Sequence, residues 1–335
     1  MSLPVIRGIS LQPILYSQVP AWDAALGKLK SFIDADTCAA ELDRSDVKGI
    51  LSRKVIPFLR ARFPAQGQST SAISSPPSAD LLSQWSSATV ALSKALPLAE
   101  MFPLVDFWRM GLLDVTVSSW LAAADVEGRT NVTDILLNAA ISVVDTPSAS
   151  SRNLILTTLR LLSNGFANTS LMRHFLNPTP NSYHSKLSSR QKITNFLVPT
   201  LLYADAPVRT AAASLAFNIA AHYQRPLIEA QRNGKRGDPV ADNENEGQGD
   251  WEVEIVSAVV EALEREKQSE EVGKYASTLH DHKTCLQLIP PSAPSHCVVS
   301  IILAPLAPLD PVILSWRSIT GKGYSGLEAA AGRMW

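Results

Sequence analysis

The sequence predicts an all-α protein built as an α-solenoid, a superhelix of helical repeats. Apolar residues recur at spacings of three and four along most of the chain, while the alternation expected of strands is scarce. The periodic stretches are about 12–18 residues long, a usual helix length, and short polar or Pro-containing turns separate them. The aromatic share is only 7%. Successive helices of this kind suit a stacked solenoid better than a four-helix bundle.

The first helix is expected over 22–33 (WDAALGKLKSFI), where Trp22, Ala25, Leu26, Leu29, Phe32 and Ile33 form one apolar stripe. Positions 47–63 repeat the pattern through Ile50, Leu51, Val55, Phe58 and Leu59, and Pro57 should kink or split that helix. A Ser-, Pro- and Gly-rich stretch near 64–79 reads as a flexible loop. Asp80 can cap the following helix, LLSQWSSATVALSKAL, which Pro97 stops. Then come MFPLVDFWRMGLLDV, VTDILLNAAISVV, RNLILTTLRLLSNGFAN, KITNFLVPTLLYAD, PVRTAAASLAFNIAAHY and WEVEIVSAVVEALEREK. Pro207 suits a first helical turn. Trp22, Trp85, Trp108 and Trp120 read as core anchors. The polar, Gly-rich stretch 233–250 reads as a disordered surface loop, and 273–335, dense in proline, as a poorly ordered tail.

A possible repeat is marked by the pattern apolar–x–x–Asn at 135–138, 161–164 and 215–218. Its asparagines are 26 and 54 residues apart, so the period is irregular, although the outer pair fits two units of about 40.

At 335 residues the chain holds one large or two ordinary domains, and an apolar share of 46% is ample for a core. Its formal net charge is −1, so no global field draws it to nucleic acid or to an anionic membrane. The charge is nevertheless uneven. Between positions 146 and 232 stand nine Lys and Arg against Asp205 and Glu229, a net of +7. From 238 to 271 there are twelve acids against Arg265 and Lys267, a net of −10. A basic middle followed by an acidic run suggests a positive face for an acidic partner, or an acidic loop that screens it.

The residues of familiar catalytic sites are missing: there is no GxSxG elbow, Walker loop, HExxH or dinucleotide fingerprint. Cys38, Cys285 and Cys297 are far apart and form no CxxC, which argues against a disulfide framework and a zinc site. His280, His282 and Cys285 lie close in sequence, but no second ligand cluster accompanies them. No metal or other cofactor is expected. Tyr183, His184, Phe196 and Tyr203 could stack bases, yet the basic segment has no dense Lys/Arg run, so nucleic acid is not expected as a partner. No run approaches about 20 apolar residues, so no membrane span is expected. The first ten residues lack the apolar core of a signal peptide, and a reducing compartment, cytoplasm or nucleus, is the expectation.

Four segments resemble the PUL domain, the Armadillo-like carboxy-terminal module of phospholipase-activating-protein-type ubiquitin adaptors. AEMFPLVDFWRMGLLD is similar to the family's helix entered through Phe-Pro. RNLILTTLRLLSNGF is similar to its Asn…Arg…Asn helix, matched by Asn153, Arg160 and Asn164. VRTAAASLAFNIAAHY resembles its Ala-rich helix, and EVEIVSAVVEALEREKQSEEV its acidic helix. PILYSQVPAWDAALGKLKSFID resembles the family's lead-in, so the likeness covers 13–272. After Val272 it ceases, and GKYASTLHDHKTCLQLIPP replaces the family's further Leu-rich helices.

The resemblance implies a docking module without catalytic activity. Its expected partners are the acidic carboxy-terminal tail of a valosin-containing-protein-type AAA+ ATPase, the segregase that extracts ubiquitinated proteins, and other ubiquitin-pathway components. The expected location is cytoplasmic and nuclear. In some fungal proteins a similar domain follows a thioredoxin domain and a papain-like deSUMOylating peptidase domain. The alternative reading is therefore a detached carboxy-terminal domain of such a peptidase.

The same resemblance gives candidate peptide-binding residues. In an Armadillo-like stack, asparagines of the inner helices can hydrogen-bond an extended peptide's main chain, and arginines can meet its carboxylates. Arg160 and Asn164, four apart, share a helix face, and Arg209, Asn218 and His222 would extend the groove, with Arg109 at its edge. Each has a plainer reading. Asn164-Gly165 can end a helix, Arg160 can snorkel to solvent, and Arg209 sits in a first helical turn, where a cation opposes the helix dipole.

Overall fold

The computed structural model describes residues 11–64, 75–124, 126–145, 149–179, 187–232 and 250–267. Among the described residues all regular secondary structure is helical. The 233–249 part of the second loop, positions 65–74 of the first, and the stretch 273–335 with His280, His282 and Cys285 lie outside them. The chain divides into two compact units. The larger comprises Pro13–Asn218 and Asn245–Ala258; the smaller comprises Met1–Gln12, Ile219–Glu244 and Val259–Trp335.

In the larger unit, α1 (Trp22–Asp34) buries Trp22, Leu26, Leu29 and Ile33, the stripe read from the sequence. α2 (Arg44–Ile50) starts three residues ahead of the expected helix, because the Asp43 carboxylate accepts the Asp46 N–H at 2.9 Å. Pro57 has no N–H to donate to Arg53, and the backbone absorbs the loss as a π-turn over Leu51–Val55, where Ile56 N–H reaches the Leu51 carbonyl. α3 (Ile56–Arg62) follows, with Pro57 in its first turn.

The cap of α4 (Ala79–Ala95) is Ser78, not Asp80: the Ser78 hydroxyl accepts the Leu81 N–H at 3.1 Å. Pro76 and Pro77 keep the preceding chain extended, so the helix starts at the first residue that they free. The Asp80 carboxylate instead takes the Gln84 amide at 2.9 Å, one turn on.

α5 (Phe102–Gly111), α6 (Val115–Ala122) and α7 (Val132–Val144) form one three-helix unit. α8 (Ala149–Gly165), α9 (Thr169–Phe175) and α10 (Ser189–Leu201) form the next. Corresponding helices pack on one another: α5 on α8, α6 on α9, and α7 on α10. The side chains of Asp114, Asn131, Asn168 and Ser188 cap α6, α7, α9 and α10 respectively. Lys192 of α10 pairs with Asp134 of α7 at 2.6 Å, and Arg62 of α3 with the buried Asp114 at 2.6 Å.

Within the core Trp85 stacks on Trp108 with ring centres 3.8 Å apart, and Trp108 Nε1 donates to Thr89 at 2.8 Å. Gly111 is required there, since a Cβ would lie 2.8 Å from the Trp85 ring. Trp22 is a core anchor too, but Trp120 is half-exposed and carries the Arg129 guanidinium 3.8 Å above its ring.

α11 (Ala206–Arg232) takes Pro207 in its first turn, and α12 (Asp250–Lys267) bears Trp251, over whose ring the Arg190 guanidinium lies at 5.1 Å. In the smaller unit, Arg225 of α11 donates to the Leu11 carbonyl at 2.9 Å.

Candidate peptide-binding ladder

Pro13 and Pro20 bracket a stretch, PILYSQVP, that has no helical hydrogen bonds. Each proline also holds the residue before it extended. Extended backbone leaves its N–H and C=O groups to be met from outside the segment. Successive helices of the stack meet them.

Asn218, mid-way along α11, accepts the Ile14 N–H through Oδ1 at 2.7 Å and returns Nδ2 to the Ile14 carbonyl at 3.0 Å. Asn164, near the end of α8, does the same two residues on. Its Oδ1 accepts Tyr16 N–H at 2.7 Å and its Nδ2 donates to Tyr16 O at 3.1 Å. The pairing fixes each amide's orientation, because a backbone N–H can only donate and a carbonyl can only accept. The same Nδ2 groups also tie rung to rung, Asn164 to the Arg109 carbonyl at 2.9 Å and Asn218 to the Ser163 carbonyl at 3.3 Å.

Arg109 of α5 is the third rung. Asp106 holds its Nε at 2.5 Å, and its two terminal nitrogens donate to the carbonyls of Tyr16 and, at 3.0 Å, Gln18. The gripped residues, 14, 16 and 18, are alternate ones, as the two-residue period of an extended chain demands. Asn164, Asn218 and Arg109 are all buried, at 0, 2 and 5% exposure.

The Tyr16 side chain is held separately. Its hydroxyl lies 3.0 Å from Ser214 Oγ, which itself bonds the Thr210 carbonyl, so Tyr16 donates. The Arg160 guanidinium lies 5.3 Å from the Tyr16 ring centre, a cation–π contact, and its buried Nε has no hydrogen-bond partner.

The other two candidates are placed differently. Arg209 donates to the carbonyls of Tyr203 and Ala204 at 2.9 and 2.8 Å, fastening the turn that leads into α11. That turn gives the cation acceptors at a helix N-terminus. Asp205 lies in the same turn, where its carboxylate bonds Arg152 of α8 at 2.8 Å and caps α11 through Val208 N–H at 3.2 Å. The Arg152 hydrogen bond is the main cause holding the Asp205 carboxyl below its ordinary value. His222 lies in the smaller unit, its ring edge-on to Tyr223 at 5.2 Å.

α8 does end at Gly165, as the plainer reading of Asn164-Gly165 has it, but the φ of Gly165 is not positive, so the end is not a left-handed one. Glycine is there because a Cβ would come within 2.3 Å of the Phe175 ring. Arg160 is half-exposed, with the Tyr16 ring beside its guanidinium.

Tyr16 and Ser214 were not candidates from the sequence. The Pro-bracketed, charge-free stretch 13–20 was the available signal for the first, and a serine within the Ala-rich part of α11, one turn after Thr210, for the second. Asn138, the third asparagine of the repeat pattern, is exposed and takes no part. Among the described residues no group of three or more His, Cys, Asp or Glu side chains could hold a metal ion. Among them also, no helix is long and apolar enough to cross a membrane.

The arrangement is a set of main-chain clamps that hold the protein's own extended residues 14, 16 and 18. The family model described as the PUL domain matches residues 10–287. No curated protein and no solved structure matches the chain.

Proposed function

The chain belongs to the PUL domain family, an all-α, Armadillo-like family of protein-interaction modules rather than of catalysts, and we propose that it is an adaptor. In this reading it docks the acidic carboxy-terminal tail of a valosin-containing-protein-type AAA+ ATPase in ubiquitin-dependent protein turnover, in the cytoplasm and nucleus. The observation that carries the reading is the ladder itself. Asn164, Asn218 and Arg109 grip extended backbone through groups that every peptide has, so the site needs no particular sequence to hold a chain.

Side-chain preference comes from charge. Arg160 borders the gripped chain with its guanidinium on an aromatic face and with no carboxylate partner among the described residues, and the segment 146–232 is net +7 in sequence. An acidic tail supplies that carboxylate in a bidentate geometry that Lys could not match.

The test is fluorescence anisotropy with a labelled peptide copying the last ten or so residues of such an ATPase, against the unaltered chain and Arg160→Glu. Saturable binding near micromolar, about −8 kcal/mol, that weakens with added salt and is lost in Arg160→Glu is the expected outcome. A folded chain that does not bind the peptide, with or without relief of the ladder's present occupant, sinks the reading.

A further inference from the structure

We propose that residues 13–18 are a resident surrogate ligand, a strap that keeps the ladder closed until an extended acidic peptide displaces it. The inference rests on the docking reading of the ladder and adds its regulation.

The grip on the strap is almost wholly a grip on main chain. Two asparagines and one arginine take the N–H groups of Ile14 and Tyr16 and the carbonyls of Ile14, Tyr16 and Gln18. Any extended peptide offers the same groups at the same two-residue spacing. Side chains add little. Leu15, Ser17 and Gln18 are exposed, Ile14 and Tyr16 are only half-buried, and Tyr16 alone has a side-chain hydrogen bond to the ladder.

The strap is also mismatched in charge. Residues 11–20, LQPILYSQVP, contain no charged side chain, yet they lie against Arg109 and Arg160. Arg109 has its own carboxylate in Asp106, whereas Arg160 has a ring face and a buried Nε without a partner. An incoming acidic peptide recovers every clamp and adds the ion pair that the strap cannot make.

What holds the strap in place is its tether. It leads through three residues into α1, so its local concentration at the ladder is far above that of a free peptide. The measured affinity of a free peptide is then reduced by the fraction of molecules whose ladder is open. The preferred occupant is an extended peptide with an acid within reach of Arg160 and a hydroxyl-bearing aromatic residue at the Tyr16 position, where Ser214 accepts.

The experiment uses the full chain and Tyr16→Pro, which removes the N–H that Asn164 accepts and the ring beneath Arg160. Two labelled probes are titrated into each: the acidic tail peptide and a copy of residues 12–20. Relief of competition should tighten both probes by roughly tenfold or more in Tyr16→Pro. Equal affinity of each probe for the two proteins, with circular dichroism reporting both folded, overturns the proposal. Failure of the docking reading looks different: the copy peptide gains affinity for Tyr16→Pro while the acidic tail binds neither protein, which supports the strap and removes the partner. Should Tyr16→Pro not fold, amide exchange of the unaltered chain decides. Saturating acidic tail should speed exchange at Ile14 and Tyr16 if the strap is expelled, and unchanged or slower exchange there overturns the proposal.

Discussion

Asn164 and Asn218 are both buried in their helices, and each uses three of the four hydrogen bonds open to an amide. Replacing Asn164 with Leu would leave the N–H of Tyr16 and the carbonyl of Arg109 without this partner in a buried place. We expect Asn164→Leu to lose about 3 kcal/mol of unfolding free energy in urea titration, since each buried polar group left unmet costs roughly 1–3 kcal/mol. Tyr16→Phe removes one hydroxyl and leaves Ser214 its bond to Thr210, so its loss should be about 1 kcal/mol. Both residues of the first rungs were visible in the sequence, because an amide or guanidinium within an apolar helix needs a partner. Their partner here was not visible. Nothing in a one-dimensional pattern says that Ile14 lies against a residue 204 positions away.

At the scale of elements, the long helices were legible, as was the break at Pro57 between α2 and α3, while the short α6 and α9 were not. α7 and α12 follow their apolar periods to within a residue, whereas α6 and α9, eight and seven residues long, are too short to show a period. Their starts are instead written in the caps, Asp114 and Asn168, which lie just ahead of each. The N-terminus of α11 has a pH dependence of definite sign. Arg152 lowers the Asp205 pKa in the folded protein, so the stabilisation is complete above the ordinary carboxyl value of 3.8 and is lost as pH falls through the lowered one. The pair is about one-third exposed, so the ion pair contributes little and the cap most of about 1 kcal/mol. Asp205→Ala, which removes the cap and the ion pair together, should therefore melt lower than the unaltered chain at neutral pH. The gap should narrow as pH falls below 3.8, in calorimetry at matched ionic strength.

At the scale of the molecule, the true repeat is the three-helix unit. Arg109 and Asn164 stand 55 residues apart, and Asn164 and Asn218 stand 54 apart, on α5, α8 and α11 respectively. The asparagine pattern missed this period because one rung is an arginine and because Asn138, which matches the pattern, is on the outside. In a stack of this kind each unit is stabilised through its neighbours, and a clamp that touches α5, α8 and α11 ties both three-helix units to the helix that follows them. Within that clamp the polar chemistry was legible before the geometry, and the geometry is what assigns it to backbone.

The strap also has a history in time. Its contacts close over separations of 148 and 204 residues, so they cannot form before α8 and the first part of α11 are stacked. Residues that dock after the transition state change the unfolding rate and leave the folding rate alone. Tyr16→Gly should accelerate unfolding by roughly fivefold in stopped-flow mixing with an unchanged refolding limb. During synthesis the delay is longer still. At about 5–20 residues per second, Asn218 emerges some 10–40 s after Ile14. For that interval the uncharged, apolar stretch PILYSQVP has no ladder to occupy. It is then available to a chaperone or to a neighbouring nascent chain, and the first part of this unit to be made is among the last to be secured.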